Sequence, residues 1–323
     1  MSGPIKGKID RAYAELQRER ERREAERKPL IVGDVVEFCL VYLHFKPYAY
    51  QEKFLRDTNQ FVLARWSRQS GKSHTIAALC LYLVLSQSHR RVVILAPSLR
   101  QSRRMIAKIS FFLSGMETNF LSGRPYKTRL EFINGSSIEA LPNSPETVRG
   151  ITADLVLVDE LSFVLNDEDL YDAVVYMLGT TNGRFIAAST PGSRDSLFYK
   201  MCTDDKKFGN FSRHHVSWKE ALEPNGPLKK QILDAIRAQM VEDPWRWQRE
   251  MEAEFAVDED AYFSYALIEK CVDPRLEFWD DRDLIGVASN SREYFDWRML
   301  TSRSTSLIII ASIPLSWLPS HRD

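Results

Sequence analysis

The sequence predicts an α/β fold with three layers around a mainly parallel central sheet, and three observations carry that expectation. Four runs, FVLA at 61–64, VVILA at 92–96, LVLV at 155–158 and FIAAS at 185–189, have strand length and are almost wholly apolar. That is the pattern of strands covered on both faces. Helix-like stretches at 75–85 and 98–108 follow the first two runs, giving the strand–helix alternation of a parallel sheet. The turn between the first run and its helix reads SRQSGKS at 67–73, so Gly-Lys-Ser falls between a strand and a helix, the context of a phosphate-binding loop.

Each residue type in that loop suits phosphate. Backbone N–H groups at a helix N-terminus cradle phosphate oxygens, and Arg68, Gln69, Ser70 and Gly71 supply the backbone here. Lys72 adds a mobile positive charge for terminal phosphates, and the Ser73 hydroxyl is a hard oxygen donor suited to Mg²⁺. One position departs from the GxxxxGK[ST] pattern, because Trp66 stands where the first glycine belongs. Read alone, Gly-Lys-Ser also fits an ordinary helix start.

The rest of the chain supplies the partners. The run at 155–158 leads directly into Asp159-Glu160. Two acids at the end of a buried strand are costly unless their charges are used. Asp159 suits a metal position and Glu160 a general base that orients and deprotonates water. The fourth run ends in Ser189-Thr190-Pro191-Gly192, whose hydroxyls can bond a phosphate or its water, or simply form a turn. Gln51, upstream in KPYAYQ, has the paired amide donor and acceptor that read a purine edge, although a Tyr-Gln pair at a helix start also serves packing.

Composition narrows the class. Lys+Arg and Asp+Glu are 44 each, so any contact with a polyanion must come from a local patch. One such patch is Arg100, Arg103, Arg104 and Lys108, which suits a phosphate backbone or a solvated helix face. Cys39, Cys80, Cys202 and Cys271 are scattered, without C-x-x-C spacing, which argues for a reducing compartment and against a disulfide framework or a zinc site. The charged N-terminus does not read as a signal peptide, and the late apolar run at 306–318 is too short and broken to span a bilayer.

Three regions are expected. Residues 1–45 form a charged, helical N-terminal region with opposite charges at i,i+4, as in Glu19/Arg23. Residues 46–257 form the phosphate-binding domain. Within it, Asn134-Gly135 between two alternating runs predicts a β-hairpin insertion, and helical patterning over 205–257 predicts a C-terminal helical lid. Residues 258–323 read as a linker and an irregular or truncated tail.

Taken together, Gln51, SRQSGKS at 67–73, the block from Val148-Arg149-Gly150 to LVLVDE at 155–160, and ASTPG at 188–192 resemble the ATPase domain of the viral large terminase subunit, over about residues 45–257. That family's loop reads R-Q-x-G-K-S/T and dispenses with the first glycine, so Trp66 fits it. The resemblance implies a P-loop NTPase that hydrolyses ATP with Mg²⁺ to drive double-stranded DNA into a prohead. It implies that Lys72 and Ser73 bind the triphosphate and Mg²⁺, that Arg68 lies against the phosphates, and that Asp159 and Glu160 are the metal and catalytic positions. Ser189-Thr190 match the coupling motif, and Arg149 matches a proposed arginine finger acting on a neighbouring subunit.

The implied partners are the portal protein, the small terminase subunit and further copies in a homo-oligomeric ring, in the host cytoplasm and away from membranes. Complete relatives continue into a nuclease with clustered acids, which would begin near residue 285. No acidic triad can be picked out there, so nuclease activity is not expected of this chain. A helicase or repair ATPase, and a remnant that keeps nucleotide binding, are the alternatives.

Overall fold

Alternation along the strands builds the two cores of the molecule. In the computed structural model, which describes Glu15, Leu30, Ile31 and residues 33–255 except Glu242, seven strands form one sheet. They are β1 (Phe61–Trp66), β2 (Arg91–Leu95), β3 (Arg129–Glu131), β4 (Ser137–Ala140), β5 (Leu155–Asp159), β6 (Arg184–Ser189) and β7 (Ser212–Val216). Their order is β3-β4-β2-β5-β6-β1-β7, and every pair is parallel except β3 with β4. Val62, Val92, Leu155 and Ile186 face one core, while Leu63, Val93, Val156 and Phe185 face the other. Both faces are therefore covered, as the continuous apolar runs require.

The first face carries α1 (Val35–Val41), α2 (Ala49–Leu55), α3 (Lys72–Ser86) and α4 (Leu99–Ser114), together with α9 (Lys230–Gln239) and α10 (Pro244–Glu250). The second carries α6 (Asp167–Met177), α7 (Leu197–Thr203) and α8 (Asp205–Phe208). Between them in sequence, α5 (Pro145–Val148) leads into the Arg149-Gly150 turn. The three-layer architecture is the one expected. Apart from Glu15, the 8–28 stretch of the charged arm and all of 258–323, including the linker and tail, lie outside the described residues.

The hairpin does more than decorate the sheet. β4 pairs antiparallel with β3 and also parallel with β2, so the hairpin extends the central sheet at its edge. Asn134 is fully buried, and its side-chain amide donates to the carbonyls of Val84 (2.8 Å) and Gln87 (3.2 Å). It thereby satisfies carbonyls left open where α3 ends, a capping role beyond turn formation. At the opposite edge, β7 was hidden in a stretch with helical patterning. Its SRHHV sequence buries only His214 and Val216 among its residues. It is held by a buried pair, His214 with Asp57 at 2.7 Å, and by Ser212, whose hydroxyl also donates to Asp57.

Candidate active site

The carboxyl ends of β1, β5 and β6 meet at one place, and most of the sequence-derived candidates converge there. β1 continues through Trp66, which pairs with Val216 of β7 and is wholly buried against Tyr50 and Phe54. Position 66 is still strand, so it does not need a glycine; the turn is made later. Gln69 (φ 60°) and Gly71 (φ 85°) take left-handed backbone, and a side chain at Gly71 would meet the Gln51 amide 2.5 Å away. Helix α3 starts immediately after, with Lys72 and Ser73 in its first turn.

Gln51 lies behind this loop and is 2 % exposed. Its amide donates to the Ser70 carbonyl at 3.4 Å and accepts from the Tyr48 N–H at 3.0 Å, while the Tyr50 hydroxyl donates to the same carbonyl at 2.7 Å. As placed, both ends of the amide are used within the chain. Through these contacts Gln51 braces the loop. Ser70 closes the loop from inside, its hydroxyl donating to the Ser67 carbonyl at 2.7 Å.

Across the site, Lys72 donates to Glu160 at 2.9 Å, and the lysine side chain is 8 % exposed. Glu160 sits in left-handed backbone (φ 57°, ψ 44°), an uncommon conformation for a glutamate. Its other carboxylate oxygen accepts longer bonds from the Ser189 hydroxyl (3.3 Å) and the Thr190 N–H (3.4 Å). Lys72, Glu160, Ser189 and Thr190 are thus one connected group.

Asp159 lies beside them with one carboxylate oxygen, Oδ1, buried and without a hydrogen-bond partner in the chain. Burial pushes its carboxyl up to about 6; Lys72 opposes the rise and Glu160 adds to it. A buried, unpartnered carboxylate oxygen is a donor of the hard type that suits Mg²⁺.

The two arginines stand apart from this group. Arg68 pairs with Glu250 of α10 through both its Nε and its Nη2, the latter at 3.3 Å, and its backbone N–H also donates to the Glu250 carbonyl at 2.9 Å. It is therefore turned toward the helical lid. Arg149 follows α5, is exposed, and lines a groove of about 340 Å³ with Asp172 and Tyr176 of α6. It joins no member of the Lys72–Glu160 group.

The sequence reading missed Glu250, whose signal was faint: one acid on a helix otherwise rich in tryptophan and arginine, PWRWQRE.

A parallel sheet with a Gly-Lys-Ser loop at the end of one strand and an acid pair at the end of another defines a P-loop NTPase. The family model described as "Terminase large subunit, T4likevirus-type, N-terminal" matches residues 64–270, and the chain belongs to this large-terminase family. The Thermus phage P74-26 large terminase ATPase domain superposes with a TM-score of 0.54 at 19 % identity, covering 68 % of this chain and 98 % of that one. The HK97 bacteriophage large terminase gives 0.56 at 17 % identity, covering 68 % and 54 %. The large terminase of another thermophilic bacteriophage gives 0.55 at 14 % identity, covering 66 % and 54 %. At these identities the likeness is one of fold. The chain spans about half the length of the last two proteins. The last of them has also been solved in complex with ADP and with ATP-γ-S.

Proposed function

We propose that this chain is the ATP-hydrolysing motor subunit of a viral terminase, which moves double-stranded DNA into a prohead. The observation that carries the reading is the Lys72–Glu160 ion pair, set at the carboxyl ends of parallel strands beside the unpartnered Asp159 oxygen. In this arrangement each charge holds the other. A triphosphate offers Lys72 a stronger partner, and Glu160 is then free to orient and deprotonate water. Ser189 and Thr190 touch the same carboxylate, so its release is felt on β6. Ser73 and Asp159 would hold Mg²⁺, which when bound neutralises phosphate charge.

Arg68 serves in cis once it leaves Glu250, and Arg149 serves a neighbouring copy in a ring. Both assignments follow the family resemblance. So do the portal protein and small terminase subunit as partners, the host cytoplasm as the setting, and the ATPase domain limits of 46–257. Among the described residues no helix is long and apolar enough to cross a membrane.

The test is ATP turnover by the purified chain, with and without Mg²⁺ and double-stranded DNA, beside Lys72→Ala. Turnover that needs Mg²⁺, rises with DNA and vanishes in the variant is the expected result. Equal turnover in Lys72→Ala would reject the site.

A further inference from the structure

We propose that the exposed basic face of α4 is the surface on which the phosphate backbone of double-stranded DNA lies, an assignment that rests on the motor reading above. The helix LRQSRRMIAKISFFLS holds four cations and no acid. Its Met105, Ile106, Ile109 and Phe112 are buried against the sheet, which turns Arg100, Arg103, Arg104 and Lys108 outward to solvent. Among the described residues none of these four makes an ion pair, whereas Arg65 and Arg91 pair with carboxylates at 3.1 and 3.0 Å. In a chain whose charges balance, an unneutralised stripe of this kind is a local field for a polyanion.

Its geometry suits DNA in particular. Arg100, Arg104 and Lys108 recur every fourth residue, so a rise of about 1.5 Å per residue spreads them over about 12 Å. One DNA strand presents a phosphate about every 3.4 Å of axis, so the stripe faces about three phosphates. Beside it, Arg104, Ala107, Lys108 and Phe111 line a groove of about 400 Å³ together with His74. Phe111 is 73 % exposed and offers an apolar edge to deoxyribose.

The groove also touches the nucleotide loop. His74 follows Ser73 on α3 and is wedged between the rings of Phe45 (4.7 Å) and Phe112 (4.5 Å). A backbone seated on Arg104 and Lys108 therefore rests against the residue next to the proposed Mg²⁺ serine. This gives DNA a short physical route to the ATP site.

The test is binding of a labelled random-sequence duplex, by fluorescence anisotropy over a salt series, to the wild-type chain and to the triple variant Arg100→Glu/Arg103→Glu/Arg104→Glu. Thermal unfolding checks that the variant is folded. Lys206→Glu/Lys207→Glu, on the opposite face of the sheet, is the charge control. The triple variant is expected to lose at least about tenfold in affinity and to flatten the log K against log salt slope by about 2 to 3, at about 0.9 per phosphate; the control keeps both. Should the triple variant not fold, Arg104→Ala alone is expected to reduce the slope by about 1.

Unchanged affinity and slope in the α4 variants would overturn the assignment, and so would an equal loss in the control. Displacement of the duplex by polyglutamate, charge for charge, would overturn it in favour of an acidic protein partner. Wild-type ATP turnover measured alongside separates the two failures. Turnover with an indifferent triple variant removes only this surface, whereas absence of both nucleotide binding and turnover removes the motor reading.

Discussion

Lys72 and Glu160 are held by rigid parts of the molecule, one in the first turn of α3 and the other at the end of β5, and they meet at 2.9 Å. Arg68 and Arg149 belong to the same proposed chemistry but stand on turns. Arg68 is paired with a lid residue, and Arg149 lies out on the surface beside α6. The difference teaches where the site is preset and where it must change. Groups on strand ends and helix starts are fixed by two cores, so packing sets their geometry. In the mechanism proposed above, the arginines depend on partners that exchange: Glu250 for Arg68, a neighbouring copy for Arg149.

The largest effect that could break this contrast comes from Arg149. In an assembled packaging ring, Arg149→Ala is expected to reduce turnover by about 10³–10⁵. Mixing in wild-type subunits is expected to restore turnover at sites that receive a wild-type finger. Arg68→Ala should show no such rescue by its neighbours. Rescue of both variants, or of neither, in a mixed-subunit turnover assay would erase the distinction between cis and trans arginines.

A second prediction concerns how firmly the preset half is held. Burial raises the Asp57 carboxyl, but hydrogen bonds from Ser212, His214 and Asn59 outweigh it and bring the group from its ordinary 3.8 down to about 2. A depressed carboxylate stabilises the fold above its unfolded value, and this contribution is lost as pH falls from about 4 through about 2. Asp57→Asn is therefore expected to cost about 2 kcal/mol near neutral pH and progressively less below pH about 4. Urea unfolding of both proteins over a pH series measures this. A penalty that stays constant down to pH about 3 would show that the pair acts through packing alone.

The smallest effect sharpens the comparison at Arg68. Glu250→Ala frees Arg68 from the lid and is expected to tighten nucleotide binding by about 1 kcal/mol or less, since this is a pair with one exposed partner. Weaker binding in that variant would mean that Glu250 positions the loop instead of restraining the arginine.

How much of this was legible depended on whether a residue's role came from its neighbours in sequence or from distant ones. The four buried strands announce themselves because a strand covered on both faces must be apolar throughout, and Lys72, Asp159 and Glu160 announce themselves because they follow such strands. β7 did not, because an edge strand needs one buried face only, and SRHHV is pinned by a polar pair with Asp57, far away in sequence. Asn134-Gly135 was readable as a turn, yet Asn134's capping of α3 joins segments about fifty residues apart. Gln51 was placed at the right loop, and its bracing role emerges from the close packing of Gly71, which no spacing encodes. Nor does any spacing pair Arg68 with Glu250, because the partner arrives from the lid.

In the proposed mechanism Lys72 and Glu160 restrain each other until nucleotide separates them. Titration of the wild type and Glu160→Gln with a fluorescent ATP analogue and Mg²⁺, with turnover measured on the same samples, tests it directly. Removing the glutamate charge should leave Lys72 free for phosphate. The variant is then predicted to bind at least as tightly as the wild type while turnover falls by about 10²–10⁴. Weaker binding in Glu160→Gln, or turnover that survives, would contradict the claim.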